Sequence, residues 1–293
     1  MAEVLKRQIA AYPRAVLEHG FYFDPTRHDA EEKVILGEKF AAGGGVEEGE
    51  RILDMVAAHP STAAFISRKL AIRFVCDDPP KSLIDKMAAT FTASDGDIKR
   101  VLETLFTSEE FWDKQHLAAK IKTPLEYLVS SLRATNSAIN GYRALIRWCT
   151  QMGQPLYAYQ SPTGYPDNNA FWTNGSALLN RMNFANELAQ GQIEGVKLDL
   201  LGLNDHHEPE SDKEALSIYL NKLNPGRDIR ETQELLLPVL ADPSFNEKLE
   251  KKAQAAKQGI TPNESDAMME ARSPDRLGQI VGLVLGSPEF QRQ

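Results

Sequence analysis

Apolar side chains recur at helical spacing through most of the chain after residue 45. Clear examples are Leu83, Ile84, Met87, Ala88 and Phe91, and then Leu125, Leu128, Val129 and Leu132. A capping residue precedes a proline at Thr123-Pro124, Asp242-Pro243, Thr261-Pro262, Ser273-Pro274 and Ser287-Pro288. Such pairs mark helix starts, because the first turn leaves its amide hydrogens unpaired and proline has none. The pattern predicts an all-α protein, an irregular array of many helices.

Two of these starts carry a stronger signal. Thr123 is followed three positions later by Glu126, and Thr261 by Glu264. In a capping box, the threonine hydroxyl accepts from the glutamate's amide, and the glutamate carboxylate accepts from the threonine's amide. We therefore expect reciprocal capping at both helix starts.

The beginning of the chain is the least helical part. Phe21 and Phe23 alternate with other residues, Asp24-Pro25 favours a turn, and a compact apolar run covers residues 34–36. This predicts a short β-hairpin or extended arm near residues 20–37. The triple glycine at 43–45 lacks the lysine and hydroxyl residue of a phosphate-binding loop, so we interpret it as a turn.

Four segments follow from where the helical periodicity stops and resumes. Residues 1–45 form the N-terminal arm, and residues 46–191 a helical core with an aromatic loop. Periodicity is lost and turn and acidic residues accumulate near residues 198–212. We therefore predict a linker at 192–212 and a C-terminal helical unit at 213–293 that packs on the core.

The stretch 151–191 is the one long interruption of the helical pattern, and it is rich in aromatic residues. We predict that Tyr165 and Trp172 flank a partly open pocket, with Arg181 or Asn183 of the next helix reaching its floor. Gly191 is placed to end that helix in a left-handed conformation. In the structural alternative, Trp172 is a lid on the hydrophobic core and Arg181 binds loop carbonyl groups.

A second candidate surface is the basic helix that begins near Pro60. Arg68, Lys69 and Arg73 are concentrated within about two turns, beside the apolar side chains of Phe65 and Phe74. They indicate either a salt-bridged helix face, with Arg73 one turn before Asp77, or an anion subsite beside the aromatic loop.

Composition narrows the function classes. The chain has 293 residues, 42% of them hydrophobic and 25% charged, a formal net charge of -8 and a pI near 5.4. A nucleic-acid or acidic-membrane partner needs clustered positive charge, so we expect neither. The sequence contains no long apolar run and no secretory signal, so we expect a soluble protein without a membrane span, cytoplasmic by default.

Other titratable clusters are weak evidence for chemistry. Asp205, His206, His207 and Glu208 are adjacent in a loop and lack the helical spacing of metal ligands. We expect no metal and no cofactor, because dinucleotide and zinc-protease motifs are also missing. We interpret Asp77-Asp78 and the Asp95/Asp97 pair as helix caps, His28-Asp29 as a surface pair, and Cys76 and Cys149 as buried thiols.

A series of ordered segments carries a family resemblance: FDPTRHDAEEKVILG, HPSTAAFISRKLAIRFVCDDPP, SDGDIKRVLETLFTSEEFW, KIKTPLEYLVSSLRA, MGQPLYAYQSPTGYPDNNAFWTNGSALLNRMNFA and LGSPEFQRQ. Together they resemble the bacterial family called domain of unknown function 1800, which implies little about function. Members of that family are longer, with an Asn-Glu-Asn…Ala-Arg-Glu run in the N-terminal half that is not found before residue 21. The chain resembles their C-terminal part, and the other half could contribute to a site or carry an export signal.

Two function classes are compatible with these observations. The first is a helical binding or scaffold module for a small polar ligand or protein partner, with Tyr165, Trp172, Arg181, Asn183, Arg68, Arg73 and His59 as candidate binding residues. The second is a hydrolase acting on a glycan or peptide, with His59 or His28 as its acid–base group. We favour the binding module, because no catalytic triad, set of metal ligands or suitably spaced pair of carboxylates can be identified from the sequence.

Overall fold

The computed structural model describes residues 16–18, 21–242 and 276–293. Helices dominate these ranges. They are α1 (Val46–Ala57), α2 (Pro60–Phe74), α3 (Lys81–Ala93), α4 (Ile98–Thr107), α5 (Pro124–Ala134), α6 (Arg143–Gln151), α7 (Asn169–Trp172), α8 (Gly175–Ala189), α9 (Asp212–Leu223), α10 (Arg230–Ala241), α11 (Arg276–Leu285) and α12 (Pro288–Gln291). Short 3-10 helices cover Lys114–His116 and Gly202–Asn204. The prediction of a mostly helical protein is confirmed.

Strands occur as three short antiparallel pairs. The first two are hairpins, β1 (Val16–Glu18) with β2 (Phe21–Phe23), and β3 (Lys33–Ile35) with β4 (Glu38–Phe40). The third joins β5 (Ala138–Ile139) to β6 (Val196–Lys197). The connection from β3 to β4 has positive φ at both Leu36 (51°) and Gly37 (85°), as two-residue hairpin loops require. The predicted N-terminal hairpin is therefore present, with a second one after it.

The described chain forms two compact units. The first comprises the described part of Met1–Phe74 together with Pro79–Trp112, and the second comprises Val75–Asp78 and the described part of Asp113–Gln293. In the first unit α3 packs against α2 and α4. Its core includes Leu83, Met87, Val101 and Leu105, all fully buried. The segment boundaries expected from the sequence stay predictions.

In the second unit α11 packs against both α8 and α9, with α5, α6 and α10 around them. The helices α8 and α11 approach closely because α11 has glycine where a side chain would clash. A Cβ atom on Gly278 would lie 2.8 Å from the carbonyl oxygen of Ala189, and one on Gly282 would lie 3.2 Å from the Cα of Asn186. These two glycines, one turn apart, let the helix backbones meet.

Local signals at helix ends are confirmed where the structure describes them. The Thr123 hydroxyl accepts from the Glu126 amide at 3.3 Å, and Glu126 Oε2 accepts from the Thr123 amide at 2.8 Å, which completes the capping box. Ser287 caps α12. Gly191 ends α8 with φ 66°, in the predicted left-handed conformation. The predicted starts at Pro243, Thr261-Pro262 and Ser273-Pro274 lie outside the described residues.

Candidate functional site

The aromatic stretch is packed by its own side chains. Trp172 is only 2% exposed, and its indole Nε1 donates to the carbonyl of Pro166 at 3.1 Å. Tyr165 packs against it, with ring centroids 5.6 Å apart, and donates its hydroxyl to the carbonyl of Pro155 at 2.7 Å. This geometry favours the structural alternative for Trp172, and a ligand role for Tyr165 and Trp172 stays a prediction.

Arg181 is fully buried, at 0% exposure, although it is a charged residue. Its Nη2 donates to the carbonyl of Lys122 at 2.7 Å, and its guanidinium carbon lies 5.3 Å from the centre of the Tyr127 ring. Within the described chain, Nε and Nη1 have no hydrogen-bond partner. Burial lowers the pKa of Arg181. Asn183, the other predicted floor residue, is exposed on α8.

One buried lysine joins distant segments of the second unit. Lys120 Nζ lies 2.8 Å from Asp77 Oδ1 and 3.3 Å from Asp167 Oδ1, and it donates to the Asp167 carbonyl at 3.0 Å. The other oxygen of Asp77 accepts from the Asn169 amide at 2.7 Å. We call Asp77, Lys120, Asp167, Asn169 and Trp172 the clasp.

The clasp corrects one sequence interpretation. Asp77 was expected to cap the following helix, but α3 begins at Lys81 with Pro80 at its cap position and no capping side chain. The Asp77 carboxylate holds Lys120 instead, because a buried ammonium requires an opposite charge more than a helix end requires a cap. Asp97 behaves as expected and caps α4 through the amides of Lys99 and Arg100.

The candidate residues His59, Arg68 and Arg73 lie in the first unit, on or beside α2. All three are exposed, and His59 Nδ1 accepts from the Ser61 amide at 3.1 Å at the start of the helix. Their convergence with Tyr165 stays a prediction. The apolar side of α2 differs from the expected one, because Ala63, Ser67 and Ala71 are buried whereas Phe65 and Phe74 are exposed.

His28 pairs with a different carboxylate from the one expected. Its Nε2 lies 2.9 Å from Glu48 Oε2, and the same oxygen accepts from Lys33 Nζ at 2.7 Å. Asp29, the sequence neighbour, accepts from the Glu31 amide instead. Hydrogen bonds from Lys33 and His28 lower the pKa of Glu48.

The second unit also contains an open cavity of about 770 Å³, between α5, the C-terminal end of α9 and residues 290–293. One face of α5 forms a wall with helical spacing, from Leu125, Glu126, Val129, Ser130 and Arg133. The sequence pattern had joined Leu125 and Val129 to a single core stripe. They are exposed to the cavity, and only their neighbours Leu128 and Leu132 enter the core.

The opposite walls come from distant parts of the chain. Lys222, Leu223, Asn224, Pro225 and Arg227 line the cavity from the end of α9 and the loop after it, and Lys122, Phe290 and Gln293 complete it. Backbone hydrogen bonds join residues 120–122 to residues 291–293, since the Lys122 amide donates to the Gln291 carbonyl and the Gln293 amide donates to the Lys120 carbonyl. We call this space the cation-lined cavity, after Lys122, Arg133, Lys222 and Arg227.

Lys122 is the most perturbed of these four cations. Its Nζ donates to the Phe290 carbonyl at 2.6 Å and lies 4.1 Å from the centre of the Phe290 ring. Burial, followed by the charges of Arg227 and Arg181, lowers the pKa of Lys122 to about 8. Arg227 donates to the carbonyls of Glu289 and Arg292, and burial lowers its pKa too. An anion in the cavity would relieve this concentration of positive charge.

The sequence analysis missed all four basic residues of the cavity. Lys122, Lys222 and Arg227 belong to segments far apart in the chain, so no local spacing joins them. The available signal was on α5, where Arg133 falls on the same helical face as Leu125 and Val129. A basic residue on the same helix face as these apolar residues indicates that the face is partly exposed, because a packed core rarely contains an unpaired basic side chain.

Two further properties bear on the chemistry of the described residues. No three of their His, Cys, Asp and Glu side chains come together in a way that could hold a metal ion. Among the same residues, no helix combines the length and apolar character needed to cross a bilayer.

Comparison with known proteins gives one match. No curated protein and no solved structure matches the chain. The family model described as "Protein of unknown function (DUF1800)" matches residues 9–292, which is nearly the whole sequence. The chain belongs to the DUF1800 family of proteins of unknown function.

Proposed function

We propose that this protein is a binding module for a small polar molecule, held in the cation-lined cavity. The observation that carries the proposal is the cavity itself, which combines volume, an apolar wall and polar groups inside one compact unit. Ligand sites in proteins are typically concave spaces of roughly 300–1,000 Å³, mostly apolar, with a few polar groups that orient the ligand. At about 770 Å³ the cavity is within this range.

The polar groups have hydrogen-bonding capacity that the protein does not use. Asn224 is buried at the end of α9, and its Nδ2 donates to the Leu220 carbonyl at 3.2 Å. Its Oδ1 has no donor among the described residues. This oxygen is buried within the protein, so its missing hydrogen bond carries a free-energy penalty of about 1–3 kcal/mol in the ligand-free protein.

A fragment screen observed by protein NMR tests the proposal. We expect fragments to shift the amide signals of Ser130 and Leu223, and we expect Val129→Trp to weaken these shifts because the larger ring occupies the space next to the apolar wall of α5. Ile146→Trp is the control, since Ile146 is also an exposed apolar residue on a helix of the same unit but lies outside the cavity. Fragments that bind Val129→Trp as well as the parent protein would contradict the proposal.

The alternative function is a hydrolase acting on a glycan or peptide, with a histidine as acid–base group. The observation in its favour is the pairing of His28 Nε2 with Glu48 Oε2, because a carboxylate that orients an imidazole is a common part of such sites. His28→Ala should then abolish hydrolysis of chromogenic glycosides or peptides, whereas His59→Ala should retain it. An absence of hydrolysis in the parent protein over a broad substrate panel would remove this alternative.

A further inference from the structure

The cation-lined cavity has an imbalance of charge. Lys122, Arg133, Lys222 and Arg227 face it, and the carboxylate side chain on its walls is that of Glu126. Glu126 Oε2 is already engaged by the Thr123 amide and, at 3.3 Å, by Gln293 Nε2. Within the described part of the chain, no ion pair joins any of the four cations to a carboxylate. Glu126 acts against this positive charge at Lys122 and Glu289 acts against it at Arg227, but among the described residues neither carboxylate forms an ion pair with a cation of the cavity.

Neither of the more buried cations, Lys122 and Arg227, is neutralised by its hydrogen bonds. They donate to backbone carbonyls of the C-terminal segment, which fix their positions without cancelling their charge. Arg181 adds a third charge behind them, since it binds the carbonyl of Lys122. Burial is the main reason that the pKa values of Lys122 and Arg227 are lowered, and it outweighs the opposing carboxylates of Glu126 and Glu289. Desolvated cations held in place beside an open space form a preorganised anion site.

The apolar wall adds a second requirement. Leu125 and Val129 are each about one-third exposed on α5, and Leu223 and Phe290 lie on the other walls. A fully hydrated inorganic anion would leave this wall in contact with water. A flat organic group attached to the anion would cover it, at a gain of roughly 25 cal/mol for each Å² of apolar surface buried.

We propose that the ligand of this cavity is a small organic anion, a carboxylate or phosphate ester attached to a flat apolar group. The anionic end lies near Lys122 and Arg227, and the apolar group lies against Leu125 and Val129. The inference rests on the proposed binding function and specifies its ligand class.

Matched probes separate charge from shape. Benzoate, benzamide and benzamidine share a ring and a planar substituent but carry a negative, zero and positive charge, and phenyl phosphate compares the two kinds of anion. We expect benzoate or phenyl phosphate to bind at least tenfold more tightly than benzamide, with a dissociation constant near or below about 1 mM, and benzamidine not to bind. Shifts of the Ser130 and Leu223 amide signals during NMR titration measure this.

Charge-removing variants test the location. Lys222→Met and Arg133→Gln each remove an exposed cation of the cavity, so the fold should tolerate them. Each should weaken benzoate binding by about two- to fivefold, as expected for a solvent-accessible ion pair. Lys213→Met on the same helix α9 and Arg143→Gln on α6 are the controls, because both remove exposed cations outside the cavity. The controls should bind benzoate as the parent protein does.

The outcomes distinguish this inference from the function on which it rests. If benzamide or benzamidine binds the cavity as tightly as both anions, the anion inference is overturned and the binding function stands. If the Lys213 control weakens benzoate as much as Lys222→Met, the effect is one of net charge and the proposed location is wrong. If neither anion nor any screened fragment shifts the cavity signals, both proposals are overturned.

Discussion

Two lysines separated by one residue have opposite surroundings. Lys120 is 4% exposed, and its ammonium lies against the carboxylates of Asp77 and Asp167. Lys122 instead donates to a carbonyl and is close to Arg227 and Arg181, with a pKa lowered to about 8. Both belong to the same segment, whose backbone pairs with the C-terminal residues, Lys120 with Gln293 and Lys122 with Gln291. The clasp is therefore electrostatically complete, whereas the cation-lined cavity is not.

The difference between the clasp and the cavity shows that the types of residue in a segment do not by themselves indicate whether it binds a ligand. The aromatic stretch suggested a ligand surface because Tyr, Trp and Asn are typical of such surfaces, but here the polar side-chain atoms of Tyr165, Trp172 and Asn169 are bonded to the protein itself. The cavity has an ordinary composition and was not recognised. A polar group that the protein leaves unbalanced is stronger evidence for a ligand than a high density of suitable residues, because native structures pair most of their buried polar groups.

The largest expected effect is at the clasp. Trp172→Ala should lower the free energy of unfolding by about 3–5 kcal/mol, because it removes a buried indole and leaves a cavity. Urea denaturation followed by circular dichroism measures it. Tyr157→Ala is the control, since that ring is fully exposed and its loss should change stability by less than about 0.5 kcal/mol. A Trp172→Ala protein of parental stability would contradict the structural role.

Lys120→Met should lower the free energy of unfolding by about 2 kcal/mol, because it leaves Asp77 and Asp167 close together without a cation. The loss is smaller than for a fully buried pair, since each carboxylate is about one-third exposed and remains partly hydrated. Lys213→Met provides the baseline for removing an exposed lysine. If both variants unfold at the same urea concentration, the ion pairs of the clasp do not stabilise the fold.

Much of the fold could be predicted from the sequence because its signals are local. The Thr123 capping box and the left-handed Gly191 depend on neighbours within one helical turn, and both are confirmed. The cavity depends on the pairing of residue 122 with residue 291, which no local pattern encodes. The role of Trp172 was ambiguous for another reason. A buried indole and an indole that stacks on a ligand can have the same neighbours in the sequence, so the sequence does not distinguish the two roles.

Thr123→Ala should cost about 1 kcal/mol of stability, the usual value for a lost helix cap. Thr150→Ala is the control, because it removes an exposed hydroxyl of α6 that is bonded to the Ile146 carbonyl within its own helix. Glu126 keeps its hydrogen bond from the Thr123 amide in the variant, so benzoate affinity should be unchanged within about twofold. A tenfold loss of affinity would show that the cap and the cavity are coupled.

The last prediction concerns Lys122, whose replacement has its smallest effect on stability near neutral pH. The folded-state pKa of about 8 is below the ordinary value of 10.5, so between these values the unfolded chain holds a proton that the folded protein has released. The stability contributed by this group therefore rises with pH across that window, and the full penalty for the buried ammonium is present below about pH 8. The Lys122→Met variant has no ammonium group at this position, so its stability carries neither the titration of Lys122 nor the cost of burying its charge.

We expect Lys122→Met to be within about 1 kcal/mol of the parent protein near pH 7, and its stability relative to the parent to fall steadily as pH rises toward about 10. Urea denaturations of both proteins at each pH measure the difference in stability. The titration of Cys149 and Tyr127 contributes equally to both proteins and therefore does not affect this difference. Saturating benzoate should flatten the trend, since a bound anion favours the charged lysine and raises its pKa. A relative stability that does not change with pH would show that Lys122 is as well compensated as Lys120, and the contrast between the clasp and the cavity would then have no electrostatic basis.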